Sequence, residues 1–167
     1  MRLKAKSLLA ATLVGVLLFA FAGCIDPNKT PSTPPELPNE SESPTQEDVT
    51  TMYITVNGNK LEMTLAENSA VDALIDRLKS SSVTYTASDY GGFEKVGGLG
   101  FSLPRSDAQT VTEAGDVVLY SGNQIVIFYG SNSWSYTRLG KINKTADELR
   151  TILGAGVGDV QVTLSLN

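Results

Sequence analysis

Proline placement constrains this chain more than any other feature. Six of the seven prolines (Pro27, Pro31, Pro34, Pro35, Pro38 and Pro44) crowd into one segment, and only Pro104 lies beyond it. Proline supplies no amide donor and pushes the residue before it out of the helical region. Between these prolines, residues 25–50 carry Ser, Thr, Asn and acids and no aromatic side chain. Such a segment cannot bury enough apolar surface to offset the entropy of ordering it, so it is predicted to be a disordered, partly polyproline-like spacer. Asp26, Glu36, Glu40, Glu42, Glu47 and Asp48 against Lys29 alone leave it at −5. Fully extended it reaches about 90 Å. The foldable chain is therefore residues 51–167, enough for one domain with its own core.

Ahead of the spacer, Arg2, Lys4 and Lys6 precede an uncharged apolar run from Leu8 to Ala22. This is the layout of an export signal. A run of about 15 residues falls short of the roughly 20 that span a hydrocarbon core, which argues against a transmembrane anchor. The run closes on Phe21-Ala22-Gly23-Cys24, and Cys24 is the only cysteine. An unpaired thiol left exposed outside the cell argues against simple secretion. The ending resembles the lipobox of bacterial lipoproteins. That resemblance implies removal of residues 1–23 as a signal peptide and lipidation of Cys24, with 24–50 as a tether on the extracytoplasmic side of the cell membrane. Stable anchoring takes two acyl chains at about 0.8 kcal/mol per buried methylene, which a diacylglyceryl cysteine supplies. Losing the three cations of the signal takes the formal charge from −5 to −8.

The foldable region reads as mainly β. Met52 to Val56 and Leu61 to Leu65 alternate around Asn57-Gly58-Asn59, a hairpin pattern. Ala70, Val71, Leu74, Ile75 and Leu78 then recur at helical spacing behind a cap at Asn68 or Ser69, and Ser80-Ser81-Ser82 ends the helix. Val83 to Thr86 reads as a strand, and the glycine-rich stretch Tyr90–Gly100 as barrel turns and bulges. A second hairpin runs from Asp116 to Tyr120 and from Gln124 to Tyr129 around Ser121-Gly122-Asn123. Its apolar run Ile125–Phe128 predicts a strand buried on both faces. Arg138 to Ile142 reads as a further strand. Thr145-Ala146-Asp147-Glu148 is a capping box opening a short helix through Leu153, and Val160, Val162, Leu164 and Leu166 alternate as a last strand. This order fits an antiparallel barrel with two helices over its open ends, or an open α+β sheet with helices on one face.

Several pieces in sequence carry a family resemblance: Phe93-Glu94-Lys95, Leu103-Pro104, Gly115-Asp116 with a strand to Tyr120, Ile127-Phe128-Tyr129-Gly130, and Leu139-Gly140-Lys141-Ile142. Over Ile54–Leu166 the chain resembles the bacterial cyclophilin-like domains of unknown function. The resemblance implies a small closed β-barrel with two capping helices.

Absences narrow the chemistry. There is no histidine, and lipidation of Cys24 removes the thiol. Cysteine catalysis, a Ser-His-Asp triad and a zinc site of the usual ligands are therefore not expected, and neither metal nor cofactor is. The glycine-rich stretch lacks the Gly-Lys-Ser/Thr of a phosphate loop. From residue 51 onward 9 bases face 12 acids with no basic stripe, which argues against nucleic acid as a partner.

Cyclophilins isomerise X-Pro bonds in a groove on the barrel face, and the resemblance puts Lys95 where their groove arginine is expected and Gln124 in an echo of a second groove strand. Lysine lacks arginine's planar fork; otherwise Lys95 is a solvated strand residue and Gln124 a polar turn residue. Trp134, in the polar run Gly130–Tyr136, reads as a loop residue that either serves as a recognition aromatic or plugs a barrel end. The expected groove comprises Phe93, Lys95, Tyr120, Gln124, Phe128 and Trp134. The expected activity is binding of a peptide, protein or small molecule by a membrane-anchored module. A divergent prolyl isomerase, or an accessory to an envelope protein with redox chemistry, are the alternatives.

Overall fold

The computed structural model describes residues 50–167, so the export signal, Cys24 and the tether through residue 49 lie outside the described residues. β1 (Met52–Val56) and β2 (Asn59–Leu65) form the first hairpin, joined by Asn57 and Gly58 at φ of 49° and 78°. Two consecutive positive φ values match the right-handed strand twist, which is why Asn-Gly serves here. α1 (Ser69–Ser80) starts at Asn68, whose Oδ1 accepts from the amides of Ala70 and Val71 at 3.0 and 3.2 Å. Then come β3 (Val83–Tyr90), β4 (Glu94–Gly98), β5 (Ala108–Val111), β6 (Asp116–Tyr120), β7 (Gln124–Phe128) and β8 (Ser133–Ile142). α2 (Ala146–Ile152) carries the expected capping box between Thr145 and Glu148, and β9 (Val160–Leu166) ends the domain.

The strands pair in the order β2-β1-β9-β3-β4-β7-β6-β8, every pairing antiparallel, and β8 returns to β2. Closure rests on three residue pairs: Met63 with Ile142, Thr64 with Lys141, and Leu65 with Gly140. Eight strands thus form a closed barrel rather than an open sheet, and no strand of the ring is left with an unpaired edge. β5 stands outside the ring, paired to the first half of β8 from Ala108↔Tyr136 to Val111↔Ser133.

Alternation sorts the side chains. Met52, Ile54, Leu119, Ile125, Ile127, Leu139, Val162 and Leu164 fill the interior. Leu74 and Leu78 of α1, and Leu149 of α2 with Leu153 just past its end, join the same core. The helices close opposite ends. Asn68 Nδ2, ahead of α1, donates to Arg138 O, whereas Asn57, past the other end of β1, donates to Ile152 O in α2. Val118, Val126, Phe128 and Tyr136 form a second buried cluster, on the outer face of β6, β7 and β8. β7 is therefore apolar on both faces, as its continuous run predicts.

Four details differ from the sequence reading. The glycine-rich stretch contains β4: β3 pairs with Glu94 to Val96, and pairing to Ile125 and Gln124 of β7 holds Gly97 and Gly98 in the ladder. β5 is a strand that short, polar Ala108–Val111 gives little pattern to reveal. β3 continues to Tyr90. Trp134 belongs to β8 rather than to a loop, paired with Thr110, since β5 supplies it with a ladder partner.

Candidate functional site: an aromatic groove on the barrel wall

The outer face of β4, β7, β6 and β8 holds a groove of about 480 Å³. Ladder register builds it. Tyr90 of β3 stands opposite Glu94 of β4, and Glu94 stands opposite Phe128 of β7. One level on, Val96, Val126 and Val118 line up across β4, β7 and β6; the next level pairs Tyr120 with Gln124. Tyr136 and Trp134 rise from β8, with Asn132 just before it.

Five rings run across this face. Tyr90 meets Phe93 edge-on at 6.5 Å and Phe93 stacks on Phe128 at 6.5 Å. Phe128 meets Tyr136 at 5.8 Å, and Tyr136 meets Tyr120 at 6.0 Å, both near-perpendicular. Offset and edge-on contacts are the arrangements that ring quadrupoles favour. Phe128 is fully buried beneath Tyr136, whereas Tyr90 and Trp134 are more than half exposed at the rims. Asn132 Nδ2 donates to Tyr136 Oη at 3.0 Å, fixing that ring at the groove wall. Burial pushes the Tyr136 phenol above its ordinary value, and the nearby Glu94 charge adds to the rise.

Glu94 is the one charged side chain on the groove. It is 4% exposed, and its Oε2 is buried without a hydrogen-bond partner. Among the described residues no ion pair reaches it. Burial pushes its carboxyl up to about 7, because desolvation disfavours the charged form and nothing offsets it.

The expected groove residues separate into three groups. Tyr120, Gln124 and Trp134 line the groove. Phe93 and Phe128 support it from the aromatic row without lining it. Lys95 does not belong there. It points into the barrel, is fully buried, and its Nζ donates to Asp89 Oδ2 at 2.9 Å and to Gly158 O at 2.7 Å. The reason is period two: Glu94 and Val96 take the outer face, so Lys95 must take the inner one. Nor is it a solvated strand residue. Asp89 is further held by Tyr129 Oη at 2.7 Å and the Gly156 amide at 2.8 Å. Burial alone would raise the Asp89 carboxyl, but Tyr129, Lys95 and Gly156 outweigh it and hold it below the usual range.

Glu94, Tyr90 and Tyr136 were not among the expected groove residues. A signal for the first two existed. Gly91 and Gly92, at φ of 59° and 76°, mark a turn, and with Phe93 as its third residue the loop places residue 94 opposite residue 90. Among the described residues, no group of three or more Asp, Glu, Cys or His side chains could hold a metal ion. No helix there is long and apolar enough to cross a membrane.

A closed eight-stranded antiparallel barrel with a helix over each end defines a cyclophilin-type domain. The model of the Cyclophilin-like family matches residues 54–165, and the chain belongs to that family. No curated protein matches it. Among solved structures, the chain is similar to the solution structure of the hypothetical protein AF2241 from Archaeoglobus fulgidus. Identity is 17% and the TM-score 0.48, over 70% of this chain and 93% of that one.

Proposed function

We propose that this chain is a lipid-anchored, extracytoplasmic binding module whose ligand lies in the groove between Tyr90 and Trp134. Cys24 fixes it to the membrane, residues 25–50 stand the barrel clear of the bilayer, and the barrel wall takes a small molecule or a short peptide. The observation that carries this reading is Glu94. A buried acceptor with no partner is expensive in a folded protein, and this one belongs to a residue that lines the groove, where a ligand can complete it. The groove's volume falls within the range of small-ligand sites, and its aromatic walls converge with the polar side chains of Glu94, Gln124 and Asn132. The isomerase alternative is disfavoured, because the one lysine offered for the groove arginine is committed to Asp89 inside the barrel.

The groove is tested with the full chain, isotope-labelled and held in detergent, against an equimolar library of acetyl-Gly-X-Gly-amide peptides. Amide shifts should cluster at Tyr90, Glu94, Tyr120, Gln124, Trp134 and Tyr136. No shifts, or shifts elsewhere on the barrel, would overturn the site. Anchoring is tested by fractionating cells that express the chain with Cys24→Ser. The variant should leave the membrane fraction, and retention there would remove the lipid reading.

A further inference from the structure

Carboxylates set into the barrel elsewhere have cations: the partly buried Asp89 has Lys95, and the buried Asp116 has Lys141 at 3.0 Å and Arg138 at 3.5 Å. Glu94 has neither a cation nor a donor for Oε2, yet it opens onto a cavity walled by aromatic rings. We infer that the groove is built for an organic cation bearing N–H donors, an alkylammonium or a guanidinium, with Glu94 as its counter-ion and Tyr90, Tyr120, Tyr136 and Trp134 as its walls. This rests on the groove being the binding site and specifies what it takes.

Three physical features converge. The Glu94 carboxyl lining the groove, with no donor of its own, calls for one, since an acceptor left without a partner inside the protein keeps its desolvation penalty. A carboxylate out of water calls for positive charge, and a nearby cation favours its ionised form. Tyrosine and tryptophan faces attract a cation through the ring quadrupole, more strongly where water is excluded. A neutral apolar ligand would satisfy only the rings and leave the Glu94 carboxyl without a partner.

A cation that needs ionised Glu94 must bind better at higher pH, because burial pushes that carboxyl up to about 7. The other titratable groups facing it are phenols: Tyr90 on β3, Tyr120 on β6 and Tyr136 on β8. From β7 come Gln124 and Val126, which carry no charge, and Lys95 faces the other side of β4. A neutral carbonyl ligand, accepting a hydrogen bond from protonated Glu94, would show the opposite dependence.

Trp134 is the only tryptophan and stands at the groove rim, so its fluorescence reports on the site. The full chain is titrated at pH 5.5 and 8.5, at matched ionic strength, with n-butylammonium and with acetyl-Gly-Lys-Gly-amide. The neutral comparators are n-butanol and acetyl-Gly-norleucine-Gly-amide. A cation should bind about 30-fold more tightly at pH 8.5 than at 5.5, in proportion to ionised Glu94. It should also outbind its neutral comparator at pH 8.5, and Glu94→Gln should abolish both preferences. Response to the peptide alone makes the ligand a protein side chain, and response to the free amine makes it a small amine; either supports the inference. Equal binding of neutral and cationic probes, pH-independent cation binding, or no cation binding overturns it. The wild-type pH comparison decides even if Glu94→Gln fails to fold. The groove reading survives that failure if neutral peptides of the library still shift its amides, and falls with it if none does.

Discussion

Replacing the buried cation of the barrel tests whether Lys95 belongs to the core or to the groove. Lys95→Met keeps the length of the side chain and deletes its charge. Asp89 then retains Tyr129 Oη and the Gly156 amide, and its side chain is 21% exposed, so water can reach it. The loss should be about 1–3 kcal/mol, the range for leaving buried polar groups short of a partner. Asp89→Asn is worse. It strands an ammonium with no exposure and only the Gly158 carbonyl as its remaining full-strength acceptor, which costs about 3–5 kcal/mol. The double variant strands no charge and leaves only the Gly158 carbonyl without its donor, so adding Lys95→Met to Asp89→Asn should restore stability rather than lower it again. Urea unfolding of the four proteins at pH 7 gives the cycle. A double-variant loss equal to the sum of the singles, within about 0.5 kcal/mol, would refute the reasoning. Changed peptide binding by folded Lys95→Met would refute its separation from the groove.

Glu94 sets the pH dependence of stability above the ordinary carboxylate range. Its folded pKa of about 7 lies above the unfolded value, so stability is full below about 4.5, falls as pH rises to 7 and then levels. The fall should be about 3 kcal/mol at most. Urea midpoints at pH 5 and 8.5 should show it in the wild type and lack it in Glu94→Gln; equal slopes in the two would contradict it. Asp89 acts in the opposite sense, its contribution being complete above the unfolded value and lost as acid protonates it, so titrations below pH 4 should weaken the wild type more than the Asp89→Asn protein. Tyr85 Oη is buried in the core without a partner, so Tyr85→Phe should be neutral or stabilising by about 1 kcal/mol by thermal unfolding, and a clear loss would reveal a bond to that hydroxyl. Gly140→Ala would drive a Cβ into the Thr64 carbonyl and the Met63 side chain at the barrel seam. A loss of about 1–3 kcal/mol is expected, and an unchanged midpoint would show that the seam can give way.

The fold was legible where local chemistry and burial agree. Asn57-Gly58 and Ser121-Gly122 sit at turns that need positive φ, and Asn68 and Thr145 cap the helices they precede. β4 and β5 were not legible. Gly97 lies in a strand because the Tyr85 ring and the Thr86 carbonyl occupy the space a Cβ would need, and that neighbour is distant in sequence. β5 is stabilised by β8, not by a pattern of its own. For the site, Gln124 was reached through the family resemblance and Trp134 as an aromatic in a polar run, and both line the groove with Tyr120. Lys95 was misplaced because matching it to a family arginine ignored which face residue 95 occupies. Glu94 was passed over because nothing in a single sequence tells a buried, unpaired carboxylate from a solvated one.

Adjacent residues of β4 place their charges on opposite sides of the barrel wall, and this bears on how the strand finds its place. β4 is short, ends in Gly97-Gly98, and meets β3 through only three residue pairs, so its side chains specify alignment weakly. A slip of one residue would send the Glu94 carboxylate toward Asp89 and leave the Lys95 ammonium outside, replacing an attraction with a repulsion inside the core. The Lys95–Asp89 pair is thus a register pin. By fixing the strand from within, it also determines that a lone negative charge, and never a positive one, faces outward among the aromatic rings.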